Sequence, residues 1–298
     1  MASIRSKLMA AVTRRVMKGK IGVSGSVAQD RATLEKMSAL SARRKPGEMA
    51  NIGGVAGEWQ MPAVLTGKRI ILYLHGGGYV IGSIATHRDL AGGIANAAGA
   101  KTLLLDYRLA PEHPFPAAVD DAVAAYRGLL AAGSKPENIV FAGDSAGGGL
   151  TVAALVALKQ QGLPLPAAGV CISPWVDLTF AGESMKTKRD ADPLLGPGPL
   201  KWMGGLYLAG QPENTPLASP LFADLKGLPP LLIQVGTEEV LLDDALRLDA
   251  AARTAGVDVS LEVWDGMMHV WHLMAAMIPE GKQAIRKIGE FVVARSVG

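Results

Sequence analysis

The chain has 298 residues, 49% of them hydrophobic, with one cysteine and a formal net charge of +3. This supplies a sizeable core for one large α/β domain with a small addition, rather than two equal domains. Lys and Arg are scattered rather than massed, which argues against a nucleic-acid partner. No run of about 18 uncharged apolar residues occurs, so neither a membrane span nor stable membrane insertion is expected. The lone Cys171 lies in the apolar run Ala168-Gly169-Val170-Cys171-Ile172. It forbids an internal disulfide and points to a cytoplasmic setting, although many exported bacterial enzymes also lack disulfides.

Residues 1–20 carry Arg5, Lys7, Arg14, Arg15, Lys18 and Lys20 and no acid. Ile4, Leu8, Val12 and Val16 recur at helical spacing. The apolar stretch from Leu8 to Val12 is too short for a signal-peptide core. A basic amphipathic helix of this kind packs on a domain with its basic face in water, or touches a membrane surface. The packed arrangement is the expectation here. A second helix is predicted over 30–44, with Asp30 as its cap, a stripe of Leu34, Met37 and Leu40, and Pro46-Gly47 as its stop.

Short glycine-punctuated strands follow over 49–66. Arg69 to Leu74 forms a buried strand that runs into His75-Gly76-Gly77-Gly78-Tyr79. A helix over 86–98 and a strand over 102–105 come next. Three prolines between 111 and 116 forbid a helix there. A helix over 117–132 ends at Gly133. After a strand over 139–142, Gly143-Asp144-Ser145-Ala146-Gly147 leads into an apolar helix through Leu158. A strand over 169–172 precedes an excursion from about 180 to 214, whose one helix is predicted at 200–208. The pattern resumes with strands at 231–235 and 259–264 and helices at 244–254 and 279–295. Strands alternating with helices mean a mostly parallel sheet covered on both faces.

Strand, Gly-x-Ser-x-Gly turn and helix together make the setting in which a serine becomes a nucleophile. The turn is so tight that a Cβ two residues before or after the serine would clash, hence Gly143 and Gly147. Sites in open parallel sheets gather at the carboxyl ends of strands. Four groups sit there: His75–Gly78, Ser145, the pair Glu238 and Glu239, and His269. Serine, acid, histidine is the chain order of an α/β-hydrolase triad. The glycine run lacks the Gly-Lys-Ser/Thr ending of a phosphate cradle. It suits an oxyanion hole, with Gly76, Gly77 and Gly78 offering bare N–H groups beside that of Ala146. His272 could pair with His269 on a metal, but no acid-rich or cysteine-rich set stands at metal spacing, so no metal is expected.

His75–Gly78, the stretch Tyr107–Ala117, Gly143–Gly147, and Ser219-Pro220 with Gly227-Leu228-Pro229-Pro230 together resemble the bacterial hormone-sensitive-lipase family of carboxylesterases. The resemblance covers roughly residues 65 to 298. It implies an α/β-hydrolase fold, with a catalytic domain over 46–298 and a helical cap. The cap would comprise residues 1–45 and an insertion at about 180–215, and Trp202, Met203, Leu206 and Tyr207 would roof the pocket. It further implies a small-molecule ester substrate with a short to medium acyl chain, no cofactor, and often a homodimer.

One position departs from that family. Its triad acid is usually the aspartate of Gly-x-x-Asp-x-Leu, whereas Gly236-Thr237-Glu238-Glu239-Val240-Leu241 places Glu239 there. A glutamate can still hold the imidazole tautomer and stabilise the imidazolium. Asp243 is the rival carboxylate for that role, but it and Asp244 follow on the same turn, where they would cap the next helix, and Glu238 points elsewhere. The expected catalytic set is Ser145, His269 and Glu239. A lactone or amide hydrolase would use the same triad. A hydrolase-like receptor without turnover would be expected to lack a triad member, and all three positions are filled.

Overall fold

A computed structural model describes residues 2–20, 22 and 25–297. Two helices lead, α1 (Ile4–Met17) and α2 (Val27–Ser41). The hairpin β1 (Glu48–Ile52) and β2 (Val55–Gln60) follows. Then come β3 (Ile70–Leu74), α3 (Ile84–Ala98), β4 (Lys101–Leu105) and α4 (Ala117–Ala131). β5 (Ile139–Asp144) feeds α5 (Ala146–Gln160), and β6 (Ala168–Ile172) feeds the excursion holding α6 (Ser184–Thr187) and α7 (Pro197–Leu208). The chain closes with β7 (Leu231–Gly236), α8 (Leu242–Thr254), β8 (Val259–Trp264) and α9 (Pro279–Arg295).

The strands form one sheet in the order β1-β2-β4-β3-β5-β6-β7-β8. Pairing is antiparallel at β1/β2 and β2/β4 and parallel from β4 to β8. This is the α/β-hydrolase arrangement expected from the alternation of elements. Both faces are covered, so the central strands are apolar throughout and split their side chains by parity. From β3, Leu72 and Leu74 join the layer under α4, α5 and α8, while Ile71 and Tyr73 join the layer under α3 and α9. Helix α5 lies deepest, with every residue from Ala146 to Leu158 buried.

Helix α1 departs from expectation. It packs through Ser6, Met9, Ala10 and Thr13 and turns Ile4, Leu8, Val12 and Val16 to solvent. Polar anchors hold it in that orientation. Ser3 and Ser6 donate to Glu280, while Arg14 and Lys18 donate to carbonyls between Arg189 and Asp192. Helix α2 is capped by Ser26, not by Asp30. Asp30 is buried and accepts the N–H of Gly22.

Candidate active site

The turn between β5 and α5 puts Ser145 at φ 55°, ψ −120°, a left-handed conformation that costs a non-glycine residue about 1–3 kcal/mol. Its neighbours leave no alternative. A Cβ on Gly143 would run into the Gly147 carbonyl, and one on Gly147 into the Leu74 carbonyl. The Ser145 N–H donates to Ile172 O at 2.8 Å, and its carbonyl accepts from Gly149 and Trp175. The strain is thus held by β3, β6 and the first turn of α5. Among the described residues nothing hydrogen-bonds the Ser145 hydroxyl, His269 Nε2 included, whose ring bonds only Glu239.

Beside it runs the glycine loop after β3. Gly77 (φ 120°) and Gly78 (φ 62°) adopt conformations that favour glycine. Both line the cavity that holds Ser145. Among the described residues no acceptor takes the N–H of Gly77, Gly78 or Ala146. Gly76 differs from the other two. Its N–H donates to Asp144 Oδ1 at 3.2 Å, and it does not line the cavity. Of the three glycines expected to offer free N–H groups, Gly76 is therefore committed elsewhere.

Asp144 binds the glycine loop to the serine turn. Its Oδ1 also accepts from Tyr73 Oη at 2.7 Å, and its Oδ2 lies 3.3 Å from His87 Nε2. Burial alone would raise this carboxyl. The charge and hydrogen bond of His87, the Tyr73 hydroxyl and the nearby His75 together hold it below the ordinary aspartate value.

His269 follows β8 through a short loop, and its Nδ1 lies 2.9 Å from Glu239 Oε2. A carboxylate only accepts, so Nδ1 carries the proton and Nε2 presents its lone pair. Glu239 is fully buried, and its Oε1 accepts from Gly236 N at 2.7 Å and Ser173 Oγ at 2.8 Å. Ser173 Oγ in turn accepts from Val270 N at 3.2 Å, which ties the β6 end to the residue after His269. Burial works against an imidazolium at His269. The Glu239 hydrogen bond and charge, with Asp192 and Asp144 further off, outweigh it and raise His269 above the ordinary histidine value.

The other carboxylates face away. Glu238 is partly exposed and lies 3.7 Å from Lys188 Nζ. Asp243 accepts from Ser184 N at 2.8 Å, and Asp244 from the N–H groups of Val176 and Asp177. Neither caps α8, whose N-cap position is Leu241. These aspartates instead tie the excursion after β6 to the body. His272 faces Gln234 Oε1 at 2.8 Å.

Ser145, His269, Gly77 and Gly78 share a cavity of about 1180 Å³. Met17 and residues of α2 line one part of it, and Leu195, Leu200 and Met203 from the excursion another. Of the four residues expected to roof the pocket, only Met203 lines it. Trp202 and Leu206 pack on the core, and Tyr207 stacks on Tyr79 at 3.8 Å. Arg31 anchors α2, donating to Val80 O and Ala110 O and as a fork to Glu112. Sequence reasoning missed Ser173, Asp144 and Asp192 as supports. Ser173 carried one signal, its place at the carboxyl end of a buried strand.

Comparison with known proteins gives the fold and the family. A family profile described as alpha/beta hydrolase fold matches residues 71–273. An acetyl-hydrolase of Streptomyces hygroscopicus is 53% identical over 83% of this chain and 82% of its own length. An esterase of Acinetobacter venetianus is 39% identical over 82% of this chain and 80% of its own. Among solved structures, an esterase from the bacterial hormone-sensitive lipase family superposes with a TM-score of 0.93 at 49% identity, covering 99% of both chains.

Proposed function

We propose, for a chain that belongs to the hormone-sensitive-lipase esterases of the α/β-hydrolase fold, that Ser145, His269 and Glu239 form its triad and cleave carboxylic esters through an acyl-enzyme. The observation that carries this reading is the buried Glu239–His269 hydrogen bond, whose histidine lines one cavity with a serine held at positive φ.

Each step has a named group. Ser145 Oγ attacks the ester carbonyl while its proton passes to His269 Nε2. Glu239 stabilises the imidazolium that forms and keeps Nδ1 protonated. The tetrahedral oxygen is received by the N–H groups of Gly77, Gly78 and Ala146, the last at the N-terminus of α5, where the helix dipole favours negative charge. Each such donor contributes about 10²–10³ in kcat. The C–O bond to the alcohol breaks, and His269 Nε2 returns the proton to the leaving oxygen. Water, deprotonated by the same nitrogen, then attacks the acyl carbonyl, the bond to Ser145 Oγ breaks, and Nε2 returns the proton to that oxygen as the acid leaves.

Substrates with short to medium acyl chains fit this reading, because Met203 stands against Gly78 beside the oxyanion donors. Replacing Ser145 by alanine tests the whole assignment. Turnover of p-nitrophenyl butyrate falls by about 10⁴–10⁶ with the melting temperature kept, and a variant retaining a tenth of normal turnover refutes it.

A further inference from the structure

The outward face of α1 takes no part in this chemistry. Ile4 is 87% exposed, Leu8 63%, Val12 44% and Val16 40%, a continuous stripe along the helix. The opposite face is docked by polar anchors and the small apolar cluster around Trp271, so the stripe is held outward. Arg5, Lys7 and Arg15 are exposed on the same outward arc and form no ion pair among the described residues. No acid occurs in residues 1–20. Met17, which lines the cavity that holds Ser145, falls on the docked side of α1, one turn beyond Thr13.

An apolar stripe flanked on its own helix only by positive charge fits an anionic lipid surface. A second copy of the chain fits it poorly. A two-fold contact through this stripe sets α1 against α1, bringing Arg5, Lys7 and Arg15 against their own kind with no acid on the helix to offset them. We propose that α1 seats this protein peripherally on anionic membrane. This inference does not depend on which residues form the triad.

The test is co-sedimentation of the full chain with phosphatidylcholine vesicles, with and without phosphatidylglycerol. The chain is expected to bind the anionic vesicles and not the neutral ones, and to be released by about 0.5 M salt. Leu8→Ser with Val12→Ser lowers binding by about tenfold or more through lost apolar burial. Arg5→Gln with Arg15→Gln also lowers it by roughly tenfold. Both variants change only exposed side chains and keep full turnover of p-nitrophenyl butyrate in solution. No binding to anionic vesicles, equal binding to neutral ones, or variants that bind like the parent each overturn the proposal. A dimer in solution that Leu8→Ser with Val12→Ser dissociates overturns it too, by showing the stripe to be a self-association face.

Discussion

Replacing Glu239 by glutamine removes one charge and sets a conflict among three donors. Glu239 accepts from Gly236 N and Ser173 Oγ through Oε1 and from His269 Nδ1 through Oε2. A glutamine has one acceptor oxygen and one donor NH2. If the oxygen stays with Gly236 and Ser173, the NH2 faces Nδ1, and the imidazole proton moves to Nε2. That nitrogen can then no longer take the serine proton. If the amide flips, the buried Gly236 N–H faces another donor, at a cost of about 1–3 kcal/mol for the unsatisfied group. The wrong tautomer is therefore favoured, and the imidazolium of the transition state loses its counter-charge. A loss of about 10⁴ in kcat follows, or about 5.5 kcal/mol of barrier. The same change removes what raises His269, so the acid limb of residual activity moves to lower pH. Stability has its own sign. A histidine whose folded value is raised stabilises the native state below its unfolded value and loses that contribution as pH rises through the folded value. The melting temperature of Glu239→Gln should accordingly fall further at about pH 6 than at about pH 9. Single-turnover kinetics with p-nitrophenyl butyrate and melting at both pH values make the measurement. Normal hydrolysis by Glu239→Gln together with a dead Asp243→Asn refutes the reasoning.

Three further outcomes are expected. Gly77→Ala places a Cβ against the Ile81 carbonyl at a φ of 120°, and kcat should fall by about 10²–10³ with KM little changed. Met203→Trp fills cavity space beside Gly78, so kcat/KM for p-nitrophenyl hexanoate should fall about tenfold relative to the acetate. Burial lowers His75 to about 4 and His272 to about 3, against an ordinary value of 6.5. Below about 6.5 the unfolded chain therefore binds protons that the native chain refuses, and stability should fall by an amount on the order of 3 kcal/mol per histidine down to about pH 4. Melting followed from pH 7 downward checks this, and His272→Gln should flatten the decline.

The parts of the site legible in the sequence are those whose geometry admits few residues. The β5–α5 turn tolerates no Cβ at Gly143 or Gly147, so the glycines had to be written into the chain. Glu239 was legible by position, four residues beyond Val235 where the loop opens at the sheet edge, and the structure sets it against His269. The supports were not legible. Ser173 holds Glu239 from 66 residues away, Asp144 holds Gly76 from 68, and Asp192 reaches the N–H of Val240 from 48. Such bonds join segments distant in sequence and leave no periodic trace. For the same reason the glycine run could be recognised without showing that Asp144 had already taken the first of its N–H groups.

Local rules failed where a tertiary partner outbid them. Asp30 and Asp243 each stand near a helix start, where a carboxylate usually caps its own helix. Asp30 instead takes the N–H of Gly22 from a buried position, and Asp243 takes that of Ser184. Helix α1 carries the same lesson further. Periodicity located its apolar stripe correctly, but a stripe says only which side chains share a face. Which face the domain covers was decided by Ser3, Ser6, Arg14 and Lys18, whose partners Glu280 and residues 189–192 lie far along the chain. Those polar anchors dock the less apolar side of α1 and leave Ile4, Leu8, Val12 and Val16 in water. Four exposed aliphatic side chains in a row are unfavourable for an isolated protein, and the lack of any acid in residues 1–20 is what points the proposal to an anionic surface.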